Sequence, residues 1–401
     1  VMLEVETAIE KICQVLPQQQ RTEAVALLDG LGRICAEDVW AKIAVPTFPR
    51  AGMDGYAVRA CETLGATKEQ PLILSVIATI YAGDPPAKST EVKGTAVKIM
   101  TGAPIPAGFD AVIKQEWTDG GETEVKIYRS VAKGANYGEI GEDIQYQQKI
   151  IHKHQRINSR MIGVLASQGI EQIRVFVAMK IGLLATGGEL VALEDDLSEG
   201  KIYNSNLYTI AAFLKGSGSE VVFTKQCSDE ITTLSQAIQE GITQVDLLIT
   251  TGGVSVGAKD YVPEAIQRLH GEQLFHFVNM KPGTPVMASL YQNRVILSLS
   301  GNPFAAVVNL HMFYWALLAH FMNCSELGLQ KRRVRLAVDL PFTKMRRLIR
   351  AFEANGEVSL VSACHRSSVF QNTLATNCLI DQPADTELKK GEAVTVYYWK
   401  F

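Results

Sequence analysis

The spacing of apolar positions changes several times along the chain, and each change marks a different architecture. The segment VETAIEKICQVL puts Ile9, Ile12 and Leu16 on one face of a helix. From about Ala44 to Gln148, strand-like runs such as PLILSVIATI and EVKIYRSV are separated by glycine and proline turns, AGDPPA, TGAPIPAG and KGANYGEIGED. That texture predicts a small β-rich unit inserted between helical pieces. The segment NSRMIGVLASQGI returns to helical spacing, with Gly169 as its stop. From about Val175 to Cys324 strand and helix patterns alternate. KIGLLAT leads to GGEL, SEVVFTK precedes EITTLSQAIQEGI, VDLLITT leads to GGVSVGAKDYVPEAIQRL, and RVILSLS leads to GNPFAAVVNLHMFYWALLAHF. Such alternation predicts βαβ units, a parallel sheet and right-handed crossovers. From about Leu327 strand spacing returns in RVRLAVDL and EAVTVYYW, with a turn at KKGE.

Composition narrows the class. A chain of 401 residues is too long for one ordinary core, so about two to four domains are expected. It is 47% hydrophobic and 20% charged with a net charge of −3, which argues against a nucleic-acid binder. The seven cysteines include no CxxC pair and read as reduced thiols. The opening VMLEVETAIE is acidic and lacks the layout of a signal peptide, so a cytoplasmic protein is expected. The run from Pro303 to Met322 is nearly long enough to span a membrane. It carries Asn309, His311 and His320, and these predict a helix buried between layers rather than in lipid.

Three predicted strands of the α/β region end in a glycine turn: ATGGELV, TTGGVSVGAKD and SLSGNPF. Parallel sheets bind ligands beyond the carboxyl ends of their strands. Glycine there lets backbone N–H groups approach a ligand closely, and a following helix adds the positive end of its dipole. Gly187, Gly252, Gly253, Ser255, Gly257, Gly301 and Asn302 are therefore candidate phosphate-binding positions. Carboxylates share these turns: Glu189 follows Gly188, Asp229 follows the strand EVVFTK, and Asp260 lies three residues past Gly257. Carboxylates beside phosphate call for a hard divalent cation such as Mg²⁺. Lys281 in NMKPGTP supplies a point charge of the right sign. Asp260 has a competing use as a cap of the following helix. GVSVG also fits a G-x-S-x-G nucleophile elbow with Ser255 as nucleophile, but no HGGG-type oxyanion loop accompanies it.

These residues fall in a longer series: MDGYAV from Met53, IMTGAPIPAGFDAVI from Ile99, GEDI from Gly141, ATGGEL from Ala185, TTGGVSVGAKDY from Thr250, KPGTP from Lys281 and SGNP from Ser300. The chain thereby resembles the molybdopterin molybdenumtransferase family, nearly end to end. The resemblance implies a homodimer of multidomain α/β and β subunits. A split helical, dimerisation domain would take residues 1–43 and 144–175, and an inserted β-rich domain 44–143. A three-layer α/β domain with a parallel sheet would bind the molybdopterin nucleotide in 176–326, and a C-terminal β-barrel would occupy 327–401. It further implies that molybdenum from molybdate is inserted into the dithiolene of adenylylated molybdopterin, with Mg²⁺ required and AMP released. Molybdopterin adenylyltransferase and molybdoenzymes would be partners.

On the same resemblance, Asp54, Thr101, Asp143, Glu189, Asp229 and Asp260 match the family's catalytic positions, with Glu189, Asp229 and Asp260 as Mg²⁺ ligands. Asp54, Thr101 and Asp143 would face the α/β domain of the other subunit. Lys281, Pro303, Arg350 and Ser367 match substrate-binding positions. The chain departs from the family pattern at Ala51, Gly138, Gly188, Thr284, Ser300 and Arg366, where Ser, Arg, Asp, Lys, Pro and Gly are usual. Loss of two cations, at Gly138 and Thr284, predicts weaker oxyanion binding. Two other readings are a non-catalytic dimeric scaffold or cofactor carrier, as in the gephyrin E domain, and a different nucleotide-linked reaction on the same α/β domain.

Overall fold

A computed structural model describes residues 2–85, 92–255, 261–362 and 365–400. Its central element is a six-stranded sheet. In chain order the strands are β1 (Lys180–Thr186), β2 (Glu220–Cys227), β3 (Leu247–Thr251), β4 (Glu272–His276), β5 (Met287–Tyr291) and β6 (Arg294–Leu299). They lie in the order β2-β1-β3-β6-β5-β4. The first four run parallel. β5 and β4 add an antiparallel edge that the alternating pattern leaves unassigned.

Helices cover both faces. α3 (Ser205–Gly216) and α6 (Pro303–Phe321) pack on one side, with Leu183, Ile249 and Leu297 of the sheet in the same core. α4 (Ile231–Gly241) and α5 (Val262–Arg268) pack on the other, with Leu184, Leu248 and Ile296. Neighbouring strand residues thus feed opposite cores, which is why these strands read as unbroken apolar runs. α6 buries fifteen of its nineteen residues, as a helix apolar on every side must. It is long and apolar enough to cross a membrane, yet 83% of its apolar stretch is buried inside the protein. His311 within it is pushed down to about 3, chiefly by burial, so it is neutral at physiological pH.

The region expected to be a split helical domain is less helical than its spacing suggests. Its two pieces do meet, through the antiparallel pair Thr22–Ala26 and Gln172–Phe176. α1 (Val5–Val15), however, lays Val5, Ala8 and Ile12 into the core of the α/β unit beside α6, while α2 (Ser159–Ser167) packs elsewhere. Periodicity reports that a helix has an apolar face; it does not name the surface that covers it.

The insert is a five-stranded sheet with strand order 111–114, 55–58, 95–99, 72–80, 124–127. Both of its faces are covered, Tyr56 and Val58 entering one core and Ala57 the other. Beyond α6 a closed five-stranded barrel uses residues 331–336, 357–359, 347–354, 378–382 and 393–398. Arg346 ties the barrel region to α1. Its guanidinium donates to Asp381 at 2.8 and 2.9 Å and to Glu6 of α1 at 2.8 Å.

Candidate active site

The chain leaves β1 toward α3 and the edge strand β2, then returns past β1 to β3. The loops after β1 and β3 therefore part company, and a crevice opens beyond the carboxyl ends of β1, β3 and β6. Its volume is about 580 Å³, and it is lined by residues of all three glycine turns. Gly187, Glu189, Asp229, Gly252, Gly253, Ser255, Gly301, Asn302 and Pro303 all border it. Nine predicted positions are thus brought together from four separate stretches of chain. Gly257 and Asp260 lie outside the described residues.

Gly252 is required by its surroundings. Its φ is 89°, and a Cβ added there would sit 2.2 Å from the carbonyl oxygen of Thr186. A side chain at Gly301 would in turn press on Gly252, at 3.3 Å from its Cα. The turns after β3 and β6 therefore touch backbone to backbone, and the Gly252 N–H donates to Leu299 O at 3.2 Å.

The carboxylates behave differently from one another. Asp229 accepts from the Thr186 hydroxyl at 2.5 Å and from the Gly188 N–H at 2.6 Å, so it holds the loop after β1 in shape. Glu189 is exposed at the rim. Among the described residues no group of three His, Cys, Asp or Glu side chains is placed to hold a metal. Mg²⁺ binds through one or two carboxylates, several waters and substrate phosphates. The pair Glu189 and Asp229 fits that donor set, with the phosphates completing it.

A second cavity of about 840 Å³ adjoins the crevice and shares Pro285, Ser300, Asn302 and Ser368 with it. Among the described residues that line it are Lys281, Arg347, Arg366, His365 and Ser367, and none is a carboxylate. Lys281 is anchored by its backbone, which donates to Arg346 O at 2.8 Å and accepts from Leu348 N at 2.9 Å. Burial, with Arg350 and Arg347 nearby, lowers the His365 pKa, so the ring adds no positive charge at neutral pH. Arg350 does not line either cavity. It is buried, lies 3.9 Å from the ring centroid of Phe304, and donates to the Val369 carbonyl and, at 2.9 Å, to the Arg366 carbonyl. It shapes the loop that carries Ser367.

Asp54, Thr101 and Asp143 are exposed on the insert, away from both cavities. Asp54 accepts from the Thr101 hydroxyl at 2.6 Å and its N–H at 2.7 Å, and these bonds hold its carboxyl below the usual range. The departures from the family pattern have local explanations. Arg50 pairs across from Gly138, and a Cβ added there would sit 2.9 Å from Glu142 Oε2 and 3.1 Å from Arg50 Cγ, so this backbone has little room for a side chain at 138. The Thr284 hydroxyl donates to Met280 O at 2.6 Å. Ser300 uses its hydroxyl to accept from Asn302 N at 3.3 Å.

Sequence reasoning misses two residues that build the site. Asn309, fully buried in α6, accepts from Ser300 N at 3.2 Å and donates to Gly283 O at 2.8 Å. One carboxamide thus joins the turn after β6 to the loop of Lys281. Its signal is a polar residue in an otherwise apolar helix, which on its own speaks only against a membrane span. Asn206 donates to Gly301 O at 2.8 Å from the start of α3, and nothing in its neighbourhood distinguishes it. The nucleophile-elbow reading finds no support, because the nearby His276 spends Nε2 on the Val254 carbonyl at 2.7 Å rather than on Ser255.

Residues 3–169 match the MoeA N-terminal region (domain I and II), and residues 182–320 match the probable molybdopterin binding domain. The chain is 34% identical to the molybdopterin molybdenumtransferase of Bacillus subtilis (strain 168), covering 98% of this chain and 93% of that one. It is 32% identical to that of Staphylococcus aureus (strain COL), covering 96% and 94%. The crystal structure of the molybdopterin biosynthesis moeA protein from Pyrococcus horikoshii OT3 superposes over all of both chains, with a TM-score of 0.85 and 26% identity.

Proposed function

The chain belongs to the molybdopterin molybdenumtransferase family, and from that premise we propose that the glycine crevice takes the nucleotide and phosphates of adenylylated molybdopterin while the cationic cavity takes molybdate. The protein is a transferase of molybdenum cofactor biosynthesis that inserts molybdenum. The observation that supports the assignment is the convergence of three strand-end glycine turns on a crevice bordered by carboxylates, next to a cavity whose described lining has cations and no carboxylate. Backbone amides at Gly253 and Ser255 suit phosphoryl oxygens. Lys281, Arg347 and Arg366 suit a tetrahedral dianion.

In this reading Glu189 and Asp229 hold Mg²⁺ together with the substrate phosphates. The ion supplies charge neutralisation at the pyrophosphate that is cleaved. Asp229 keeps the loop after β1 in place while doing so, and Lys281 orients molybdate toward the dithiolene end of the substrate. Ser367 adds a hydroxyl donor on the opposite wall. Asp54, Thr101 and Asp143 find a use if the protein is a homodimer in which the insert of one subunit closes the crevice of the other. The adenylyltransferase that supplies the substrate and the molybdoenzymes that take the product are the partners this chemistry requires.

The test is turnover of purified adenylylated molybdopterin with molybdate, with and without Mg²⁺, on protein whose mass has been measured in solution. AMP release and molybdenum-loaded product from a dimer, dependent on Mg²⁺, are expected. A monomer with full activity removes the shared site, and binding without turnover returns the scaffold reading.

A further inference from the structure

Behind the crevice one side chain controls the direction of a backbone donor. β4 ends at His276, and the next residue, Phe277, has a φ of 72°. A bulky aromatic residue rarely adopts this left-handed conformation, and such backbone gathers at functional sites. Consecutive strand residues point to opposite faces. Here the twist of the backbone brings the two rings together instead, with centroids 3.8 Å apart and planes 13° from parallel.

The stacked imidazole sets Nε2 2.7 Å from the carbonyl oxygen of Val254. A carbonyl only accepts, so Nε2 carries the proton. The peptide joining Val254 to Ser255 is trans and planar, so a fixed carbonyl fixes the Ser255 N–H in the opposite direction. Ser255 lines the crevice. Among the described residues no protein acceptor takes its N–H. On the other side the Gly253 carbonyl is held by Val262 N at 3.0 Å. The turn is therefore pinned at two successive carbonyls, leaving the Ser255 N–H for a guest.

We propose that His276, braced by the stack on Phe277, is a positioning residue that aims the Ser255 N–H at a phosphoryl oxygen of the bound nucleotide. The proposal rests on the crevice being the nucleotide site. It gives the left-handed backbone at Phe277 a use, which is to bring the phenyl ring over the imidazole.

Calorimetric titration of the full chain with AMP and, separately, with adenosine distinguishes the outcomes, because only AMP carries the phosphoryl group. His276→Leu is expected to weaken AMP binding about tenfold and leave adenosine within about twofold. His276→Gln, whose amide N–H reaches the same carbonyl, restores AMP affinity to within about threefold. Phe277→Gly accepts the left-handed backbone without strain and removes the stack, so it weakens AMP binding while the melting temperature is maintained. Wild-type AMP affinity in folded His276→Leu, or equal losses for AMP and adenosine, overturns the proposal and leaves the crevice assignment standing. Should His276→Leu fail to fold, wild-type AMP affinity in Phe277→Gly overturns it equally. If the unsubstituted protein binds no AMP, the crevice assignment falls and the proposal with it.

Discussion

The two adjoining cavities are made of different material. The crevice beyond β1, β3 and β6 presents backbone, because Gly252 and Gly301 meet with no room for side chains between them. The cavity beside it presents side chains, Lys281, Arg347 and Arg366 among them, from a loop of the α/β unit and from a strand and a loop of the barrel region. A backbone site is rigid and tolerates no substitution at its glycines. A side-chain site can exchange one cation for another and keep its sign. Of the departures that the resemblance implies, Thr284 stands in the second cavity and Gly188 and Ser300 stand at or beside the crevice, while its glycines Gly187, Gly252, Gly253 and Gly301 keep the expected pattern.

The largest effect is expected from Gly252→Val. The added side chain meets the Thr186 carbonyl and displaces the Gly253 and Ser255 amides proposed to meet phosphate. AMP affinity should fall at least about a hundredfold, since each such charge-assisted bond contributes roughly 1.5–3 kcal/mol. A calorimetric titration that finds affinity preserved would show that the crevice is not backbone-built. A smaller effect is expected from Lys281→Ala. Molybdate binding should weaken roughly tenfold to a hundredfold while AMP binding stays within about threefold. Equal losses for both ligands would mean that the cavities act as one site. The smallest effect is a gain. Thr284→Lys gives up the bond to Met280 and adds a cation, so molybdate affinity should rise about threefold to tenfold. No gain in equilibrium dialysis would indicate that Arg347 and Arg366 already supply the charge.

The same division explains what is legible in the sequence. Glycine leaves a mark wherever backbone must approach backbone, so three turns are enough to place the crevice from the order of residues alone. The unbroken apolar runs of β1, β3 and β6 announce a sheet covered on both faces. Arg347 and Arg366 cannot be told from a solvated basic face by sequence, because a cation carries no local sign of what it points toward. The resemblance leads one to expect Arg350 at a binding position, yet its burial over Phe304 depends on a loop fifteen or more residues away in sequence. Asn309 is visible as an anomaly, but its two partners lie in different loops, and only the folded chain brings them to one carboxamide. α1 shows its apolar face plainly, and the surface that covers it is set by tertiary packing.

α6 has a consequence for how the protein is made. Its two sides are closed by segments far apart in the chain. His320 bonds to Leu16 O at 2.9 Å and Phe321 O accepts from Gln19 N at 2.7 Å, on the side of the earliest residues. His311 meets Trp399 with ring centroids 4.8 Å apart, and Lys400 lies 4.9 Å from the ring centroid of Trp315. On the ribosome the helix emerges before the last strand of the barrel has been synthesised. Until then one flank of an almost wholly apolar helix is bare, so chaperone demand and aggregation during translation concentrate in that interval.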